Sequence, residues 1–165
     1  WAHRVSMANL AQTVNVLQCL AVTEQNKMFL TPTYHVFDMV RPHSSSRLAT
    51  TQTECPVFEA RPIGFSEKKE IPCLDVIASL SGKKVHLTVV NKSISDPIEA
   101  QIEMRESTVA TISGKVLHAE DPRAENTFKT PSAVSSRRIS PSLTRGYLVH
   151  TFPPNSFTAL SITLE

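Results

Sequence analysis

Two stretches decide the fold: Val85-His86-Leu87-Thr88-Val89-Val90-Asn91 and, after a turn, Ile98-Glu99-Ala100-Gln101-Ile102-Glu103-Met104. Side chains of a strand point alternately to its two faces. Val85, Leu87 and Val89 therefore share one face of the first run, and Ile98, Ala100, Ile102 and Met104 share one face of the second. The first run is rich in β-branched residues, which suit a pleated, half-buried surface. Residues 91–97 between them carry turn chemistry. Each run predicts a strand with one buried face.

The same reading extends outward. Downstream, residues 108–118 continue the pattern around Gly114, and 148–152 and 157–164 flank the turn Pro153-Pro154-Asn155-Ser156. Residues 120–146, with Pro122, Pro131 and Pro141, predict long loops. Upstream, 71–80 runs into Ser81-Gly82-Lys83-Lys84, and Val57–Ala60 is a weaker run. Roughly seven or eight short strands at about ten-residue spacing predict a mainly β fold, an antiparallel sandwich of the jelly-roll or immunoglobulin type. Having only four glycines argues against a β-helix or a glycine-rich phosphate loop.

Before Ser44-Ser45-Ser46 the period changes. Leu10, Ala11, Val14, Leu17 and Ala21 recur at three- and four-residue spacing, which predicts a helix over 9–22 with Asn9 as its cap. Residues 4–8 read as a short buried strand feeding that helix, and 23–27 as a turn. Thr31-Pro32 predicts a second helix, with Thr31 as cap and Pro32 at the first helical position, stopped by Pro42. The expected division is 1–43 and 44–165.

Composition narrows the function. Seventeen Lys+Arg against fifteen Asp+Glu leave a net charge of +2 in 165 residues. That excludes a polybasic nucleic-acid surface. A hydrophobic content of 41% supports a packed core. No run reaches the roughly 18–20 apolar residues of a membrane-crossing helix, so no membrane partner is expected. Cys19, Cys55 and Cys73 show no CxxC spacing, and the six histidines show no HxxxH or HxH spacing. Neither metal nor other cofactor is expected. The chain opens Trp1-Ala2-His3-Arg4, with no initiator Met and no leader pattern, and reads as a fragment. The absence of a leader favours a cytoplasmic location.

Individual candidates are few. His35 and Asp38, three apart on the second helix, suit a hydrogen-bonded structural link. Ser66 in Gly64-Phe65-Ser66-Glu67 lacks the second glycine of a nucleophile elbow. Asn91-Lys92-Ser93 fits the glycosylation acceptor pattern. Trp1, Tyr34 and Tyr147 are the only Trp and Tyr residues, too few for an aromatic sugar platform.

Three segments together resemble one family. They are Met7-Ala8-Asn9-Leu10-Ala11-Gln12-Thr13-Val14-Asn15-Val16-Leu17, then Leu30-Thr31-Pro32-Thr33-Tyr34-His35-Val36-Phe37-Asp38-Met39, and Ala124-Glu125-Asn126-Thr127-Phe128 before Pro131. Their order is similar to the C-terminal part of the α-L-arabinofuranosidases of glycoside hydrolase family fifty-one. The resemblance implies a jelly-roll sandwich, residues 44–165, preceded in 1–43 by the last strand (5–9) and helix (13–22) of a (β/α)₈ barrel and by a linking helix. It also implies a retaining hydrolysis of terminal arabinofuranosyl groups by two carboxylates about 5–5.5 Å apart. In the family those glutamates precede the Met7–Leu17 motif, so the chain is expected to lack them and to be inactive alone. Gln12 sits where the family places a glutamine that contacts the arabinose. A side-chain amide both donates and accepts, as a sugar hydroxyl requires; on the residues alone, without the resemblance, Gln12 reads instead as a first-turn helix residue, solvated or capping. The implied partners are an upstream catalytic barrel, an arabinofuranoside substrate and further copies of the chain. The alternative is a non-catalytic carbohydrate-binding or protein-interaction module.

Overall fold

The computed structural model describes every residue except 1–3, 6, 11, 62, 65, 106, 145 and 146. The elements, in order, begin with β1 (Ala21–Glu24), β2 (Lys27–Leu30), α1 (Pro32–Val40) and a 3₁₀ turn (Arg41–His43). Next come β3 (Arg47–Ala49), β4 (Val57–Ala60), β5 (Lys69–Pro72), β6 (Leu74–Ser81), β7 (Lys84–Asn91) and β8 (Ile98–Ile102). The last are β9 (Val109–His118), β10 (Arg137–Ile139), β11 (Ser142–Thr144), β12 (Tyr147–Phe152) and β13 (Ser156–Leu164).

The long strands are those that alternation predicts, and every strand pair is antiparallel. Six strands form one sheet in the order β10-β9-β13-β7-β6-β3, and three form another, β11-β12-β8. The apolar faces meet between the sheets. Leu74, Ala78, Val85, Leu87, Val89, Leu160 and Ile162 of the large sheet pack against Ile98, Leu148 and Phe152 of the small one. Phe152 and Leu148 are 1% exposed and Ile162 is fully buried. Burial of each such side chain stabilises the fold by about 1.5–3 kcal/mol.

Two positions in this core have special reasons. A Cβ on Gly114 would come within 2.6 Å of Leu160 Cδ2 and 3.0 Å of the Ala159 carbonyl. The glycine is there to let β9 lie close to β13. Asn91 is 1% exposed, and its Nδ2 donates to the carbonyls of Asp96, Phe152 and Pro153 while Oδ1 accepts from the Ser93 amide. The acceptor asparagine of the glycosylation pattern is therefore an internal brace joining the ends of β7 and β12.

Helix α1 forms as Thr31-Pro32 predicts: Thr31 is extended (φ −83, ψ 164) and Pro32 opens the first turn. The helix lies on the outer face of the large sheet, where Met39 packs with Leu117 and Val134 in a second cluster that also takes Val36, Phe157 and Ala159.

The N-terminal expectation is corrected. No barrel strand and no helix form in the described residues between 4 and 20; the barrel part does not belong to this chain. Asn15 (φ 57) and Gln18 (φ 56) are left-handed, which an α-helix excludes. The periodic residues do not share a buried face either, since Leu17 is 95% and Val14 47% exposed. Ala21 and Val22 belong instead to the β1–β2 hairpin, whose turn is Gln25-Asn26 with Gln25 at φ 52. Ala11 and Ser6 of the expected elements lie outside the described residues. The short strands β3, β5, β10 and β11 fall where no strand was separately predicted.

Candidate functional site

Gln12 lies in an exposed, non-helical stretch immediately before a folded loop. That loop is closed from both sides. Thr13 O accepts from the amides of Leu20 and Ala21, at 2.9 and 3.2 Å. Asn15 Nδ2 donates to Thr23 Oγ1 at 3.0 Å, and Asn15 Oδ1 accepts from the Thr23 amide at 2.7 Å. Thr31 Oγ1 donates to Cys19 O at 2.5 Å. The hairpin beneath is held to the sandwich by Asn126, 6% exposed, whose Nδ2 donates to Leu30 O and Val134 O, both at 2.8 Å. Its Oδ1 accepts from the Val134 amide at 2.7 Å. Phe128 meets Phe29 edge to face at 4.9 Å. The three motif segments thus converge on one end of the molecule, with Gln12, Met7 and Leu17 turned to solvent.

A second feature is a groove of about 520 Å³ between the end of α1 and the outer face of the large sheet. Asp38 and Arg41 form one wall. Lys115 and Arg138, direct partners in the β9–β10 register, stand on the sheet. His86, Thr88, Ser113 and Ser161 supply polar groups on a floor that Met39, Ile139, Ala159 and Leu160 make mainly apolar. Lys115 Nζ donates to Asp38 Oδ2 at 2.7 Å, and Arg41 stands 3.8 Å from Oδ1. The Lys115 hydrogen bond holds the Asp38 carboxyl below its ordinary range. His43 Nδ1 lies 2.8 Å from Ser79 Oγ, while its Nε2 is buried without a partner. Burial pushes His43 and His86 down, with His86 adding to the effect on His43 and Lys84 to that on His86. Both rings are therefore neutral donors and acceptors at neutral pH.

The expected link through α1 exists with a different partner. Asp38 reaches Lys115 on β9, while His35 Nδ1 lies 3.4 Å from Ser136 Oγ. Among the described residues no group of three or more His, Cys, Asp or Glu could hold a metal ion, and no helix is long and apolar enough to cross a membrane. The groove was not foreseen from the sequence. Its residues run from 38 to 161 with no local spacing, and only the strand register brings them together.

The profile of the Alpha-L-arabinofuranosidase C-terminal domain family matches residues 1–156. The chain belongs to this family. An intracellular exo-alpha-L-arabinofuranosidase of Bacteroides ovatus is 26% identical over 164 residues, a span covering 98% of this chain and 31% of that protein. The crystal structure of the family 51 arabinofuranosidase of Xanthomonas axonopodis pv. citri superposes with a TM-score of 0.85 at 27% identity, over 98% of this chain and 32% of that one. The alpha-L-arabinofuranosidase of Thermotoga maritima, solved with arabinose, gives 0.80 at 30% identity, over 97% and 34%. This arabinofuranosidase C-terminal domain thus spans about a third of the length of the relatives it matches.

Proposed function

We propose that the chain is the C-terminal portion of a retaining α-L-arabinofuranosidase, which releases terminal arabinofuranosyl groups from arabinose-containing polysaccharides or oligosaccharides. The observation that carries this reading is the family match over residues 1–156 in a chain that spans about a third of its relatives. The two catalytic glutamates lie in the upstream barrel, and this portion alone is inactive. Residues 44–165 serve as the jelly-roll sandwich. Residues 1–43 turn toward the barrel and present Gln12, whose amide holds a hydroxyl of the arabinose in a fixed orientation. The C-terminal portion also helps assemble the enzyme into a homo-oligomer.

A chromogenic α-L-arabinofuranoside tests this. The chain alone should be silent, and the chain mixed with separately produced, folded barrel should hydrolyse it. Silence of the mixture with both parts folded refutes the reading; activity of the chain alone refutes the placement of the glutamates. In the full-length enzyme Gln12→Ala should raise KM or lower kcat/KM about tenfold, the scale of one lost sugar hydrogen bond to a fixed amide.

A further inference from the structure

The groove between α1 and the large sheet is not used by the function proposed above, yet its chemistry is specific. Arg41, Lys115 and Arg138 line it against one carboxylate, Asp38. Asp38 accepts from Lys115 at 2.7 Å and faces Arg41 at 3.8 Å. No carboxylate among the described residues stands within ion-pair distance of Arg138. The register places Arg138 directly opposite Lys115. Asp38 already neutralises Lys115, so Arg138 is the groove cation left without a carboxylate of its own among the described residues. An arginine fork matches the two oxygens of a carboxylate or phosphate. Beside these cations lie the hydroxyls of Thr88, Ser113 and Ser161 and the imidazole of His86. These groups both donate and accept, as sugar hydroxyls do. No Phe, Tyr or Trp is among the described residues lining the groove, so ring stacking on a neutral sugar has no support there. A volume of about 520 Å³ falls within the range of small-ligand sites, about 300–1,000 Å³.

We propose that this groove binds a sugar carrying one anionic group, a carboxylate or a phosphate. The anion is held chiefly by Arg138, beside the Lys115 and Arg41 cations that Asp38 shares, and the hydroxyls rest on Thr88, Ser113 and Ser161. This goes beyond the arabinofuranoside reading and does not depend on it.

The test is calorimetric titration of the protein with galacturonate, galactose 1-phosphate, galactose and inorganic phosphate, with the His43 and His86 ring resonances followed by NMR. At least one anionic sugar should bind and move both resonances. Galactose should bind about tenfold more weakly, the cost of losing a charge-assisted contact, and added salt should weaken the anionic sugar further. The carboxylate and phosphate arms identify which anion is read. Arg138→Gln should weaken binding about tenfold; Arg41→Gln, at an 81% exposed side chain, carries the same test should the first variant fail to fold. The proposal is overturned if neither anionic sugar binds or if galactose binds as tightly as they do. It is equally overturned if inorganic phosphate matches the sugar phosphate, or if a folded Arg variant binds as the parent does.

Discussion

The side-chain amide of Asn126 donates to the carbonyl of Leu30 at 2.8 Å, across 96 positions of chain. One buried residue therefore ties the N-terminal hairpin to the loop that follows β9. Asn126→Ala leaves the Leu30 carbonyl and both Val134 backbone groups without this partner. The expected loss is about 2–3 kcal/mol, with hydrogen exchange of the Ala21–Leu30 amides accelerated well beyond that of β7 and β13. Uniform acceleration everywhere would show that Asn126 supports the whole sandwich rather than the hairpin.

Asn91 makes a similar claim on the core. Its Nδ2 serves three carbonyls, and Asn91→Asp would aim a carboxylate at them. A loss of about 3 kcal/mol or more is expected at neutral pH, partly recovered in acid as the carboxyl takes a proton and regains a donor. Chemical denaturation at two pH values measures this; an Asp variant as stable as the parent would contradict the geometry.

Gly114 is held by space rather than by backbone angle. Gly114→Ala must displace Leu160 or the β13 backbone, with an expected cost of about 1–3 kcal/mol. Leu160→Ala in the same chain should relieve part of the strain, so the two changes together should cost less than their sum in a double-mutant cycle.

Acid should act in two stages. His35, His43, His86 and His150 are all pushed below the ordinary value of 6.5, in each case chiefly by burial. Between the folded and unfolded values the unfolded chain binds more protons, so stability rises with pH there and falls as pH drops below 6.5. Asp38 works lower. Its stabilisation by Lys115 is complete above the ordinary 3.8 and is lost as pH falls through the depressed folded value. For this half-exposed pair the amount is about 0.5–1 kcal/mol. Urea denaturation from about pH 8 to about pH 3 tests both stages; a flat profile between pH 7 and pH 5 would remove the histidine stage.

The N-terminal end leaves Met7 73%, Val14 47% and Leu17 95% exposed. Large apolar side chains left to solvent favour association. The isolated chain should bind an apolar-surface dye and elute larger than a monomer. Replacing the three with Ser should reverse both results while leaving the melting temperature nearly unchanged.

The sandwich was legible because period-2 alternation over β7, β8, β9, β12 and β13 reports directly which face is buried. The helix at Pro32 was legible from proline at the first helical position, although the Thr31 hydroxyl caps no helix amide and goes to Cys19 O instead. Residues 9–22 were misread because Leu10, Val14, Leu17 and Ala21 satisfy a helical spacing by coincidence. Asn15 and Gln18 instead take left-handed angles, paid for by the Asn15–Thr23 hydrogen bonds that no spacing rule encodes. The β1–β2 turn is Gln25-Asn26 rather than Asn-Gly, so the usual hairpin signal was missing. Of the candidate site, Gln12 came only through family resemblance. The groove was invisible, because the Lys115–Arg138 pairing exists only once β10 is registered against β9.

Asn91-Lys92-Ser93 makes the order of events in synthesis matter. On a nascent chain the asparagine is an ordinary acceptor for an oligosaccharide. Once β7 and β12 have closed, its nitrogen is sealed behind three carbonyls. In a glycosylating secretory host, transferase and folding would race for the same atom. Molecules that fold first would emerge bare and native, and those caught first would carry a glycan that the core has no room to admit.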